Sequence, residues 1–460
     1  MFLKVFRTCL LLIAVAAEQQ SFRLPLSRVP RLGQSLLNIA VDNSQEYTYI
    51  VTVFIGDQPF DVVLDTGSSD LWVASTVCEE PDCLAVPRYS PAASSTLVQT
   101  GIPFTLDYLE GAVTGEIAYD TVSLGAYQVQ SQIFALAATT AALGLASTAT
   151  SGILGLCFPS TAAIPATAGV TLLENLLSSI SEPENRFFAF HLGRDSGRDD
   201  PSSSFTIGVL DPVLAPDSDQ ITVSNVSRTG PAYDYWKLPL LRLTLAGSPF
   251  ALSRSRVPGA QTPIAVLDSG TTVVLGPTAD VDALYLLLGP AARKSPSGWQ
   301  VLCTRAVLLG FVLGDPASAR EYVLDPTDVA WAEGASPDGW CTGGVQPNDG
   351  VNAGDWLLGD VFLRNVYTVH YTEPPRIGLT NATDPAHALV AFRAERGLDP
   401  SADGDVVPET DGWDTDSGYV KRGAHGESGN ASRFLGAVAG VVGFVVGGMG
   451  TLGWRIWRGV

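Results

Sequence analysis

The sequence predicts a mainly β protein built in two lobes, on three observations. The stretch Phe60 to Val73, FDVVLDTGSSDLWV, is echoed at Pro263 to Gly276, PIAVLDSGTTVVLG. Each copy is an apolar, β-branched run of strand type, followed by Asp, a small hydroxyl residue, Gly and two more hydroxyl residues. Tyr47 to Gly56, YTYIVTVFIG, alternates as a strand does and leads into the first copy. The chain of 460 residues is long enough for two domains and a large core, and the two Asp residues stand 203 positions apart (268 − 65).

In each copy the strand delivers a carboxylate, Asp65 or Asp268, to a turn. Gly67 and Gly270 let the backbone turn tightly and bring an amide toward that carboxylate. The hydroxyls of Thr66 and Ser68, and of Ser269 and Thr271, can donate hydrogen bonds that fix its orientation and protonation state. If the two loops met face to face, both carboxyls could not ionise at once. One would remain a carboxylate base and the other a protonated acid. Two further triplets, Asp195-Ser196-Gly197 and Asp416-Ser417-Gly418, follow no apolar strand run and read as turns in polar loops.

With these loops the chain resembles the pepsin-like aspartic proteases, and the resemblance runs beyond them. Thr105 to Val122, TLDYLEGAVTGEIAYDTV, is similar to that family's flap hairpin, with Tyr108 in the flap tyrosine position and Gly111 to Gly115 leading into the returning strand. Ser151 to Ser160, SGILGLCFPS, resembles the segment that crosses behind the first aspartate, and Trp356 to Tyr371, WLLGDVFLRNVYTVHY, its counterpart in the second lobe. The likeness covers Glu46 to Leu379, in the family's order and near its spacing.

The resemblance implies the bilobal pepsin-like fold with the cleft between the lobes. It also implies an endopeptidase acting in acid on protein or peptide substrates, with a water activated between Asp65 and Asp268. Ser68 and Thr271 would hydrogen-bond the outer carboxylate oxygens, Thr66 and Ser269 would tie the loops together, and Tyr108, supported by Trp72 and shaped by Gly111, would close over the substrate. No metal or organic cofactor is implied, and the enzyme is expected to be a monomer. The flap departs from pepsin in Leu109 and Glu110, the latter adding a charge at the cleft, and the second loop has Ser269 where many relatives have Thr. A catalytically silent pepsin-fold module that binds peptides or proteins at the cell surface is the competing reading.

Around this unit the chain divides by composition. Residues 1–17 read as a signal peptide, with Lys4 and Arg7 ahead of an apolar run and Ala14-Val15-Ala16 at a cleavage position. By resemblance 18–42, with Arg23, Arg28 and Arg31, is a pro-segment; composition alone also allows a flexible arm. The lobes are assigned to 43–215 and 216–382, joined through the linker-like DPVLAPDSDQ at 211–220, and Phe187 to Leu210 reads as a hairpin with a long polar tip. An acidic, disordered stalk is expected over 383–433. Residues 434–454 form an uncharged run long enough to span a bilayer, before Arg455 and Arg458 in a short tail, 455–460. A signal for a glycolipid anchor is the alternative reading of that run.

Cys78 and Cys83 form a CxxxxC pair able to close a small hairpin in an oxidising compartment, and Cys303 and Cys341 match the spacing of the family's second-lobe disulfide. Cys157, in an apolar run, reads as a buried thiol. Asn225, Asn381 and Asn430 begin glycosylation sequons. These features place the chain in the secretory pathway, membrane-anchored, with its catalytic domain outside the cell or in an acidic lumen. Lys and Arg number 27 against 47 Asp and Glu, a formal charge of −20, which argues against nucleic acid as a partner. The four scattered histidines form no metal-ligand pattern, and there is no GxSxG, CxxC or GxxxxGK[ST] motif.

Overall fold

The computed structural model describes residues 22–25, 27–31 and 46–397, except 110, 195–202, 216–217, 332–337 and 352. The leader 1–17, both decoy triplets, Glu110, Asn430 and the apolar run 434–454 lie outside the described residues. Among the described residues no helix is long and apolar enough to cross a membrane.

As the sequence predicts, the fold is mainly β, and its two halves repeat one another around the two motifs. In the first, strand Gln58–Asp65 carries Asp65 at its end. It pairs in parallel with Gly152–Gly155, which pairs antiparallel with Leu71–Ala74. In the second, Ile264–Leu267 delivers Asp268 and pairs in parallel with Trp356–Leu358, which pairs antiparallel with Val274–Gly276. Each inserted strand thus runs between the two arms of a motif and closes the chain behind its aspartate. The β-branched runs suit this place because they are buried on both faces: every residue of Ile264–Leu267 is buried, as are the last four of Gln58–Asp65.

Each insertion needs glycine. A Cβ on Gly155 would lie 2.5 Å from the Ser69 carbonyl carbon, and one on Gly359 2.5 Å from Val273 O. Leu156 N donates to Asp65 O at 2.7 Å, and Asp268 N donates to Leu358 O at 3.1 Å, so the backbone on both sides is fixed.

One eight-stranded sheet belongs to the first half, and the second contributes an eight-stranded and a four-stranded sheet. A further six-stranded sheet draws on both halves. In it Phe187–His191 lies beside Val366–Thr372, Phe187 opposite Tyr371. A single apolar cluster runs through the lobe junction, joining Leu64, Leu156 and Phe158 to Trp236, Leu267 and Trp356.

Two expectations change, and the pro-segment expectation gains local structure. Lobes assigned strictly to 43–215 and 216–382 miss this shared sheet, and the linker assigned to 211–220 is packed where it is described at Leu214 and Ala215, which are buried against Phe187 and Tyr367. The described part of 18–42 is paired strand: Phe22–Pro25 against Ser204–Ile207 and Ser27–Arg31 against Glu46–Ile55. The expected stalk does not begin at 383, because Pro385–Arg396 is a helix. Asp384 caps it by accepting from Ala386 N at 2.9 Å, Pro385 stands in its first turn, and Ala388, Leu389 and Phe392 are buried along one face. Composition averaged over fifty residues conceals that short amphipathic pattern. The expected hairpin from Phe187 forms, with Phe188 opposite Ile207, its tip lying outside the described residues.

The close approach of Gly155 to backbone yields a test. Gly155→Ala should destabilise the fold by about 2–3 kcal/mol, since the Cβ meets main chain that has no rotamer by which to yield. Chemical unfolding measures it, and an unchanged midpoint would refute the packing described.

Candidate active site

The two motif turns meet at the lobe junction through four reciprocal hydrogen bonds. Thr66 Oγ1 donates to Leu267 O at 3.0 Å and accepts from Ser269 N at 3.0 Å. Ser269 Oγ donates to Leu64 O at 2.7 Å and accepts from Thr66 N at 3.1 Å. Each hydroxyl serves as both donor and acceptor, so Ser in place of Thr at 269 loses nothing. Both side chains are buried, where the bonds are shielded from competing water.

This clasp brings Asp65 and Asp268 within hydrogen-bonding reach of each other. Gly67 N donates to Asp65 Oδ1 at 2.7 Å, and the Ser68 hydroxyl donates to Asp65 Oδ2. Opposite, Gly270 N donates to Asp268 Oδ1 at 2.8 Å and Thr271 Oγ1 to Asp268 Oδ2 at 2.8 Å. The glycines have a second task, since each faces the other lobe's carboxyl. A Cβ on Gly67 would lie 2.5 Å from Asp268 Oδ1, and one on Gly270 would overlap Asp65 Oδ1.

Both carboxyls are only 4% and 8% exposed, and burial raises both above the ordinary carboxylate range. The charge of Asp268 raises Asp65 further, while the Ser68 and Gly67 donors, and the Thr271 and Gly270 donors opposite, pull the other way. The balance leaves a pair that holds one proton over a wide range of acidity.

Above the pair hangs the hairpin of Val98–Asp107 and Ala112–Leu124. Tyr108 N donates to Gly111 O at 3.0 Å across its tip, and Gly111 takes φ +81°, where a Cβ would press on Ala141 O. Trp72, fully buried, donates from Nε1 to Tyr108 Oη at 2.7 Å. Trp72 thus braces Tyr108, while Ser68 below it holds Asp65. Burial and the charge of Asp65 keep the phenol protonated.

Pair and hairpin enclose a cavity of about 300 Å³. Val63, Leu106, Leu143 and Ile153 line it from the first lobe, Val266, Thr272 and Leu357 from the second, and Tyr235 stands at the junction. Leu109 and Asp107 lie at the hairpin side. Gly111 and Trp72, expected at the cleft, do not line it; they shape and brace the hairpin from behind.

Both expected disulfides form, Cys78–Cys83 and Cys303–Cys341. Among the described residues the one group of possible metal ligands is Cys78, Glu80 and Cys83, whose two thiols are spent in the disulfide. Cys157 is buried and donates to Asp234 O at 2.9 Å. Asn225 is exposed, though its amide donates to Asp315 at 3.1 Å, and Asn381 is half-buried at the end of Pro375–Asn381.

Several buried polar contacts outside the cleft were not legible in the sequence. Asp70 is buried, accepts from Ala163 N at 2.7 Å and Ile164 N at 3.1 Å, and is held above the ordinary carboxylate range by burial. It fixes the turn that follows Gly152–Gly155. Asp328, buried in the second lobe, is paired with Arg194 from the first and with Arg364, the latter at 2.6 Å, and these cations hold it below the ordinary range against its burial. Position directly after DTGSS was the available signal for Asp70; for the Arg194–Asp328 contact, 134 residues apart, there was none.

The family model for "Eukaryotic aspartyl protease" matches residues 46–382, most of the chain. The chain belongs to that family. It is similar to chymosin of Camelus dromedarius, 30% identical over 336 residues, covering 73% of this chain and 81% of the relative. It is also similar to pepsin A of Sus scrofa, 31% over 343 residues (74% and 82%), and to a pregnancy-associated glycoprotein of Equus caballus, 31% over 345 residues (73% and 81%). The helix Pro385–Arg396 lies beyond the matched region.

The reciprocal bonds between the loops make a second test. Ser269→Ala strands Leu64 O and Thr66 N in the interior and should cost about 2–4 kcal/mol in chemical unfolding. Ser269→Thr keeps the hydroxyl and should cost far less; equal losses for the two substitutions would refute the clasp.

Proposed function

We propose that this member of the family is an aspartic endopeptidase acting in acid, with Asp65 and Asp268 as its catalytic pair. The observation that carries the reading is the pair itself: two buried carboxyls facing each other across the junction, each held by one amide and one hydroxyl, with burial raising both above the ordinary carboxylate range. A water between them would give its proton to the ionised carboxyl as it attacks the scissile carbonyl. The protonated carboxyl hydrogen-bonds the carbonyl oxygen as charge develops there. Tyr108, on the hairpin above, would exclude bulk water from the closed cleft.

The apolar walls suit protein or peptide substrates with apolar side chains. Two disulfides support folding in an oxidising compartment. With the N-terminal leader they support entry to the secretory pathway, cleavage of 18–42 as a pro-segment, and glycosylation at Asn225, Asn381 and Asn430. The uncharged run 434–454 supports a membrane anchor for an ectodomain working at the cell surface or in an acidic lumen.

Cleavage of a peptide library by the purified chain, from acid to neutral pH, tests the reading. With the series extended above neutrality, activity should fall as pH rises through about 8 and Asp65 gives up its proton, and fall again in strong acid as the second carboxyl protonates. Asp65→Asn and Asp268→Asn should each abolish cleavage and leave a folded protein; turnover by either variant would sink the assignment. A folded, acid-matured wild type that binds peptides without cutting them would establish the silent module instead.

Stability supplies an independent readout. A carboxyl whose pKa is higher folded than unfolded takes up a proton on folding, so its contribution is favourable in acid and is lost as pH rises toward the folded value. Asp268→Asn removes that penalty and should raise the melting temperature at neutral pH but not in acid. The same shift at both would contradict the raised pKa values.

A further inference from the structure

The wall of the cleft on the first-lobe side includes Leu143, Leu145 and Thr148. Its backbone holds a shape that the sequence does not favour. Ala142 (φ 55°), Gly144 (φ 67°) and Ala149 (φ 53°) all lie in the left-handed region, which alanine enters only at a steric cost. Between them stands one helical turn, Leu145–Thr148, too short to stabilise itself.

Ser147 and Thr148 bond back to Gly144 O within the turn, and the hold from outside it comes from the disulfide loop. Glu80 Oε2 accepts from Thr140 N at 2.7 Å and Thr140 Oγ1 at 3.3 Å. Asp82 spans the start of the turn, Oδ2 accepting from Leu145 N at 3.0 Å and Oδ1 from Ala146 N at 3.1 Å. The Cys78–Cys83 bond closes the backbone around these two carboxylates. Both cysteines are buried in the same apolar cluster as Leu143 and Leu145, with Tyr108 packed against it.

We infer that Glu80 and Asp82 are specificity-determining positioning residues: from the disulfide loop they clamp Thr140–Ala146, so that Leu143 and Leu145 present a fixed apolar wall to one side chain of a bound peptide. Neither carboxylate touches the cleft, and neither lines the cavity. Their effect is on which side chain fits, because a preformed wall spares the ligand the cost of ordering it. The inference takes its ligand class from the proteolytic reading, but binding tests it without turnover.

The experiment uses the acid-matured full-length protein and two peptides in which a hydroxyl-bearing isostere replaces the scissile bond, with Leu or Ala flanking the isostere. Calorimetry of wild type should show about tenfold tighter binding of the Leu peptide, the range that a few methylenes contribute in an apolar pocket. Glu80→Ala with Asp82→Ala should reduce that preference to about threefold or less while moving the affinity of the Ala peptide by less than about twofold. Glu80→Gln with Asp82→Asn keeps an acceptor oxygen at each place and should retain most of the preference. A merely structural role would weaken both peptides alike and lower thermal stability without changing their ratio. An undiminished Leu preference in the double Ala variant, or no preference in wild type, overturns the clamp. Wild type that shows the preference yet cleaves nothing would sink the proteolytic reading alone.

Discussion

Everything in this structure answers to the cost of burying two carboxyls side by side. Two unit charges a few ångströms apart at an effective dielectric near 20 repel by about 3–4 kcal/mol, before either pays for leaving water. The fold does not remove that cost with a cation. It supplies one amide and one hydroxyl to each carboxyl, and burial together with the facing charge favours the protonated form of Asp65. Such a site needs its two halves placed to within a fraction of an ångström, which explains the density of constraint around it. The Thr66–Ser269 clasp sets the loops against each other, the inserted strands lock the backbone behind each aspartate, and glycine occurs where a Cβ would separate the carboxyls.

Around this rigid centre the cleft is supported from a distance. Trp72 braces the hairpin through Tyr108, Asp70 fixes the turn behind the first strand pair, and Glu80 and Asp82 hold the first-lobe wall. None of these four lines the cleft cavity; each acts on the elements that do. Polar side chains spent on backbone amides are a sound way to do this. Each such bond contributes about 1 kcal/mol, and more when the acceptor is charged, while fixing direction as well as distance.

Much of the centre was legible in the sequence because its constraints are local. A strand, an acid, a glycine and hydroxyls at fixed offsets must be contiguous for the turn to form, so Asp65 and Asp268 and their supporting residues could be named from two short stretches. The CxxxxC pair was legible for the same reason, while the hairpin tyrosine was named through the resemblance to the family. What stayed hidden depends on pairing across the chain. The six-stranded sheet joins residues some 180 positions apart, and no property of Phe187–His191 alone announces Val366–Thr372 as its neighbour. Arg194 meets Asp328 only once both lobes are in place. Asp82 looked like one more acid in an acidic chain. The helix after Asp384 was missed for a different reason: its cap and apolar stripe are short and sit inside a long acidic, glycine-rich stretch.

The shared sheet also governs when the two motif turns can come together during synthesis of the chain. A nascent chain that has emerged through the first motif holds one carboxyl of the pair, with neither the partner loop nor the strands that close the junction. Asp268 arrives 203 residues later, and Val366–Thr372, which pairs with Phe187–His191, nearly 100 residues after that. Until those late strands dock, an incomplete chain at the ribosome has no assembled pair of carboxyls. A topology that delays folding by placing its essential contacts far apart in sequence thus also acts as a timer.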